Sequence, residues 1–191
     1  MHVYAVVCWY WGWRGPGAVG VLGHDPVAFD QGGLRMDVKT LLIVTHTPSA
    51  NLASLAQAAE AAARAHADDG RLRIVAMQAL ATQPNDVLAA DGLLFGTNEN
   101  LASMAGISKD FFDRCYYPVL EEKQGLPLAA YVRAGHDGTG TLRQLNSITT
   151  GLRWRWVAEP LLLHGAWTPE FLTQVEELAA GFAVGLQEGI F

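Results

Sequence analysis

The sequence predicts an α/β fold, a three-layer sandwich with helices covering both faces of a five-stranded parallel sheet. Two observations predict it. From residue 36 onward, apolar runs alternate with helical patterns, the signature of a parallel sheet wrapped by helices. Several runs are apolar on consecutive rather than alternate residues, as expected of strands buried on both faces. Five such strands with right-handed crossovers favour the order 2-1-3-4-5. In that order the chain reverses between its first and third strands, and a crevice opens at their carboxyl ends.

The expected strands are 41–44, 72–77, 92–96, 126–132 and 157–163. A helix over 51–67 places Leu52, Leu55, Ala56, Ala59, Ala62 and Ala63 along one side, pairs Glu60 with Arg64 on the other, and stops at Gly70. Between the second and third strands there is room for little more than two helical turns, capped by Asn85 or Asp86. The stretch 104–122 puts Ile107, Phe111 and Cys115 on one stripe until Pro118 ends or bends it. A further helix is expected over 139–152. The last begins after Thr168 and Pro169, a hydroxyl cap followed by proline at the first helical position. No period of 20 to 50 residues repeats, which excludes a solenoid.

Half of the 191 residues are apolar and 17% are charged, a globular profile. Thirteen Lys and Arg against nineteen Asp and Glu leave a formal charge of −6, which opposes nucleic-acid binding. Cys8 and Cys115 stand at no metal or disulfide spacing, and the six histidines (2, 24, 46, 66, 136 and 164) are scattered. A reducing cytoplasm is the expected location, with no membrane or nucleic-acid partner. Serines such as Ser108 and Ser147 lack the strand–elbow–helix context of a hydrolase nucleophile. Arg153 and Arg155 interleave with Trp154 and Trp156; in an acidic chain this reads as a helix end packing on the sheet or on a second subunit.

Residues 1–35 differ from the rest. They crowd Trp9, Trp11 and Trp13 beside glycines and prolines, too broken for a bilayer span and without the features of a secretory signal. Gly15, Gly17 and Gly20 match a dinucleotide spacing, but Gly23 and Pro26 spoil the helix that must follow. The expected organisation is an N-terminal extension over 1–35, poorly ordered, before one domain over 36–191. A chain beginning at Met36 is expected to melt at an unchanged temperature by calorimetry; a large loss would make the extension integral.

Three loops leave the strand ends at the crevice. The first, "THTPSAN", supplies Thr45, Thr47, Ser49 and Asn51 at the amino end of a helix. Hydroxyls, an amide and free helical N–H groups bind a phosphate monoester with neutral donors, without glycine or lysine. A capping residue alone needs only one such side chain. The second is "GTNENLASMAG". The third is "RAGHDGTGT", whose glycines allow close backbone approach. Cys115, four residues from Phe111, reads as a core residue.

Together, "LLIVTHTPSANLASLA", "ADGLLFGTNENLASMAGISKDFFDR" and "YVRAGHDGTGTLRQL" resemble stretches of the flavodoxin-like NAD(P)H-dependent FMN reductase and quinone reductase families, over nearly all of 36–191. The resemblance implies a flavodoxin-like fold that binds FMN, with NAD(P)H as co-substrate. It implies phosphate on Thr45, Thr47, Ser49, Asn51 and Leu52. The isoalloxazine would lie against Thr97, Asn98, Glu99, Asn100 and Leu101, with its other edge near Arg133, Gly135, His136 and Asp137. No side chain need act as a nucleophile, so no catalytic residue is expected. Where these families commonly carry proline, an aromatic and glycine, this chain has Asn98, Leu101, Ala102 and Ser103. The implied activity is electron transfer from NAD(P)H through FMN to a quinone, flavin or similar small acceptor, in a homodimer. Two alternatives stay open: a flavodoxin-type FMN carrier with no nicotinamide reaction of its own, and a flavin-free ligand-binding relative.

Overall fold

The computed structural model describes residues 38–67 and 70–191; the expected extension and its glycine spacing lie outside them. The described chain runs β1 (Lys39–Thr45), α1 (Ala50–Arg64), β2 (Leu72–Gln78), α2 (Pro84–Leu88), β3 (Gly92–Asn100), β4 (Ser103–Met104), α3 (Gly106–Val119), β5 (Pro127–Ala134), α4 (Thr139–Gly151), β6 (Arg155–Trp156), β7 (Leu161–His164) and α5 (Glu170–Gln187). The main sheet is parallel, in the order β2-β1-β3-β5, with β6 and β7 both on the outer edge of β5. The five expected strands therefore lie in the expected order.

Strand alternation divides the core into two layers. Leu42, Val44, Leu93, Phe95, Leu128 and Ala130 face α2, α3 and α4, whereas Leu41, Ile43, Leu94, Ala129 and Tyr131 face α1 and α5. The first layer centres on Phe95, Phe111 and Phe112, with ring centroids 4.9 to 5.6 Å apart. On α1, Leu52, Leu55, Ala59 and Ala63 are buried, and the Glu60–Arg64 pair forms at 2.7 Å on the exposed side. Cys115 is a buried core residue, and burial pushes its thiol pKa up to about 11. It is expected to resist a small thiol reagent in the native state and to react on unfolding; rapid native labelling would contradict that placement.

Several boundaries differ from expectation. The helix over 104–122 is shorter, because residues 103–104 pair back onto β3, and it carries Pro118 in its last turn. The short connection helix is capped by Gln83, whose backbone N–H is taken by the Asp86 carboxylate at 2.7 Å. The last helix has Pro169 itself at the cap position, without a side-chain cap from Thr168. The end of α4 is a left-handed closure: Arg153 sits at φ 58°, its N–H donates to Thr150 O, and Trp154 N–H donates to Thr149 O. That two-bond pattern normally recruits glycine.

Arg155 and Trp156 are then strand rather than helix end. The expected strand over 157–163 is broken in two, because β6 ends opposite Leu128 and β7 starts at Leu161 opposite Tyr131. The edge carries two more residues than β5 over that span, and Pro160 has no N–H to donate.

Candidate functional site

β1 ends at Thr45, and β3 and β5 run on past that level to Asn100 and Ala134. Thr45 of β1 is paired with Gly96 of β3, and Gly96 with Tyr131 of β5. The three polar loops therefore start within two strand spacings of one another, roughly 10 Å. His46 N–H continues the β1–β3 ladder to Gly96 O at 3.0 Å, and partial burial lowers the imidazole pKa.

In the first loop, Ser49 is the N-cap of α1, its hydroxyl accepting from Leu52 N–H at 3.4 Å. Leu52 turns its side chain into the core. Ala50 and Asn51, both exposed, open the helix, and the N–H groups of a helix's first turn have no partner within the helix. No acidic residue lies in that turn. Thr47 donates its hydroxyl to Gln78 Oε1 at 3.1 Å. Thr45, Thr47, Ala53, Gln57, Glu60 and Gln78 line part of a groove of about 340 Å³ between α1 and the β1–β2 pair.

The second loop is not an open connection. β3 runs on to Asn100 and folds back through Leu101 and Ala102 into β4, with Glu99 opposite Met104 and Asn100 opposite Ser103. Leu101 and Ala102 sit at φ 50° and 59°, the positive values that a two-residue hairpin turn with the strands' own twist demands. The side chains alternate along β3. Thr97 faces α3, fully buried, its hydroxyl 2.6 Å from Ser108 Oγ. Asn98 faces the other way, donating its amide to Asn100 Oδ1 at 2.8 Å and to Glu99 O at 3.3 Å. The Glu99 carbonyl accepts only, which fixes the amide nitrogen toward it and leaves Asn98 Oδ1 buried without a partner. Leu101 stands fully exposed at the tip.

α4 holds this hairpin. Glu99 Oε1 accepts from Gly138 N–H at 3.0 Å, Gln144 Oε1 accepts from Met104 N–H at 2.9 Å, and Gln144 Nε2 donates to Ser103 Oγ at 3.3 Å. Gly140 lies against the Ala102 carbonyl. Sequence reasoning missed Gln144, whereas Gly140 is one of the third-loop glycines for which a close backbone approach was expected.

In the third loop Arg133 turns toward α5. It donates to the carbonyls of Ala134, Leu163 (3.1 Å) and Gly165 (2.6 Å), and its guanidinium lies 5.3 Å from the Phe171 ring centroid. Gly135, His136 and Asp137 face the hairpin tip. With Glu99, Leu101 and Ala102 they line a hollow of about 480 Å³, within the range of small-molecule sites, about 300–1,000 Å³. Glu99 and Asp137 both bring carboxyl groups to this end, and bonds to Thr139 hold that of Asp137 below its ordinary pKa.

The hollow and the first-loop groove share no lining residue. A larger hollow of about 690 Å³ opens where the edge strand breaks, between α4 and residues 156–160, and holds no residue of the three loops. Among the described residues no group of three or more His, Cys, Asp or Glu is placed to hold a metal, and no helix is long and apolar enough to cross a membrane.

A family model described as NADPH-dependent FMN reductase matches residues 38–168. No functionally curated protein matches the sequence. Among solved structures, a flavodoxin from the domain Archaea is similar at 14% identity and TM-score 0.65, over 78% of this chain and 99% of that one. An oxidoreductase from Corynebacterium diphtheriae is 20% identical with TM-score 0.58, over 80% and 98%. A flavodiiron core from Synechocystis is 13% identical with TM-score 0.63 over 81% of this chain, which spans only 37% of that longer one. At such identities these likenesses establish a flavodoxin-like fold.

Proposed function

Because the chain belongs to the NADPH-dependent FMN reductase family, we propose that it is an FMN-dependent oxidoreductase that takes electrons from NAD(P)H and delivers them to a quinone, a free flavin or a similar small acceptor. The observation that carries this reading is the contrast between two helix amino ends at one edge of the sheet. α4 begins with Glu99 and Asp137 on its first N–H groups, whereas α1 begins with hydroxyls and no carboxylate. An anion is attracted to the free end of α1 and repelled from the occupied end of α4. A molecule with a phosphoryl group at one end and a neutral ring system at the other thus has one orientation.

The residues fit FMN on a further point. Asn98 Oδ1 is a buried acceptor without a donor, at the end of β3 between the two regions, and FMN carries hydroxyl and N–H donors along its length. Thr45, Thr47, Ser49, Asn51 and the Leu52 backbone would hold the phosphate. Glu99 to Leu101, with Gly135 to Asp137, would border the ring. Thr97 and Arg133 support from behind: one pins β3 to α3, the other ties β5 to β7. When bound, FMN supplies two-electron chemistry, hydride in from a nicotinamide and electrons out to the acceptor. The protein's part is to bind, orient and shield.

Purified protein is expected to take up FMN with a shifted visible spectrum and then to oxidise NADPH or NADH with a quinone present. Tight flavin with neither nicotinamide consumed would indicate a carrier instead, and no uptake a flavin-free relative. Changing Thr47 and Asn51 together to alanine is expected to weaken FMN by about tenfold or more, the span of one or two hydrogen bonds to a charged group; undiminished affinity would place the phosphate elsewhere.

A further inference from the structure

Gly96 is the residue at which β3 lies between Thr45 of β1 and Tyr131 of β5. A Cβ on Gly96 would stand 2.3 Å from both Cζ and Oη of Tyr131. The missing side chain is what allows the phenol to lie flat across β3, reaching from β5 toward β1 on the face covered by α1 and α5. Tyr131 is 1% exposed. Among the described residues no hydrogen bond reaches its hydroxyl, although a buried phenol ordinarily finds a partner.

That oxygen is also not sealed in. Among the described residues the unpartnered side-chain atoms cut off from solvent are Asn98 Oδ1, Thr141 Oγ1 and Trp154 Nε1, so the Tyr131 oxygen keeps a trace of surface at the end of a ring that is otherwise covered. By strand alternation Thr45 presents its side chain to the same face as Ile43, beside Gly96, and it too makes no side-chain hydrogen bond among the described residues. The chain then climbs through "HTPS" into the amino end of α1, on that same face. Tyr131 lines neither the ring hollow nor the first-loop groove. A lone, buried donor that keeps a trace of surface, next to the strand that leads into a helix amino end without a carboxylate, lacks one thing, an anionic acceptor.

We infer that the Tyr131 hydroxyl donates a hydrogen bond to the terminal phosphoryl group of the bound ligand from beneath the β1–α1 turn, which makes Gly96 and Tyr131 a paired phosphate-binding device. The inference rests on the FMN reading above. Burial raises the phenol pKa well above its ordinary value, so the proton to be donated stays in place.

Tyr131→Phe keeps the ring over Gly96 and removes only the oxygen. FMN and riboflavin affinities are measured by flavin fluorescence, and melting temperatures with and without inorganic phosphate. FMN is expected to weaken by about tenfold, as for one hydrogen bond to a charged group, and riboflavin, which lacks the phosphate, to be unchanged. The ligand-free variant is expected to melt no lower than the parent, since the lost oxygen had no partner. Gly96→Ala, whose added carbon displaces the phenol, is expected to show the same FMN-selective loss. Unchanged FMN affinity in Tyr131→Phe, or equal losses for FMN and riboflavin, overturns the inference. If the parent protein binds no flavin, the FMN reading falls and phosphate decides: stabilisation seen in the parent and lost in Tyr131→Phe upholds the phenol's role, and no difference between them overturns it.

Discussion

Replacing Gly140 with alanine is expected to loosen the hairpin from α4 and to weaken both stability and flavin binding. A Cβ there would stand 2.0 Å from the Ala102 carbonyl oxygen, so one of them must move by roughly an ångström to reach even a tight van der Waals contact. The obstacle is backbone, held on either side by Glu99 on Gly138 and by Gln144 on Met104 and Ser103. Alanine is the better helix former by about 1 kcal/mol, which sets a gain against the clash. Overpacking costs about 1–3 kcal/mol, and a rigid carbonyl places this case at the upper end. A net loss of about 1–2 kcal/mol lowers the melting temperature by about 2–8 °C for a domain of this size. The displaced tip carries Leu101 and Ala102 away from the ring hollow, and FMN affinity is expected to fall by about tenfold. Unchanged melting and affinity would mean that the hairpin does not rest on α4.

Phe111→Ala is expected to have the largest effect on folding. Phe111 is fully buried on α3, its ring centroid 5.6 Å from Phe95 and 5.0 Å from Phe112. Deleting it leaves a cavity that two neighbouring rings and a β-sheet cannot close. Phe→Ala in a core costs about 3–5 kcal/mol, a fall of about 6–20 °C in melting temperature. Since α3 also carries Ser108 against Thr97, the second loop should loosen with it. A fall of only one or two degrees, measured by calorimetry, would show that this cluster is not the centre of its layer.

The β1–α1 unit was readable from the sequence because its signals agree: a run apolar on both faces, then small and leucine residues at helical spacing with a cap at Ser49 or Asn51, of which the fold uses Ser49. Strand order followed from the same alternation, as did the buried Cys115. The second loop was not readable. Its hairpin turns on Leu101 and Ala102 at positive φ, where turn chemistry leads one to look for asparagine and glycine. Its support comes from Gln144, forty residues away from Met104. The closure at Arg153 failed in the same way, since a left-handed position after a helix ordinarily announces itself with glycine. The break in the edge strand depends on a length mismatch with β5, which no local pattern carries.

The site shows the same division. Ser49 and Asn51 at the amino end of α1 follow from local rules, whereas the turning of Thr97 toward α3 and of Arg133 toward α5 is set by register, and a shift of one residue would reverse both. Tyr131 was hidden for a further reason. Its value at the crevice depends on the absence of a side chain on the neighbouring strand.

The central claim is that the β1–α1 turn grips a phosphoryl group with neutral donors. The amide resonances of Ser49, Ala50, Asn51 and Leu52, followed by ¹⁵N–¹H NMR as ligand is added, test it most directly. FMN should shift those four strongly, with riboflavin moving only the resonances around residues 99–102 and 135–137. If FMN binds while the four amides stay where they were, or if riboflavin moves them equally, the phosphate is held somewhere else.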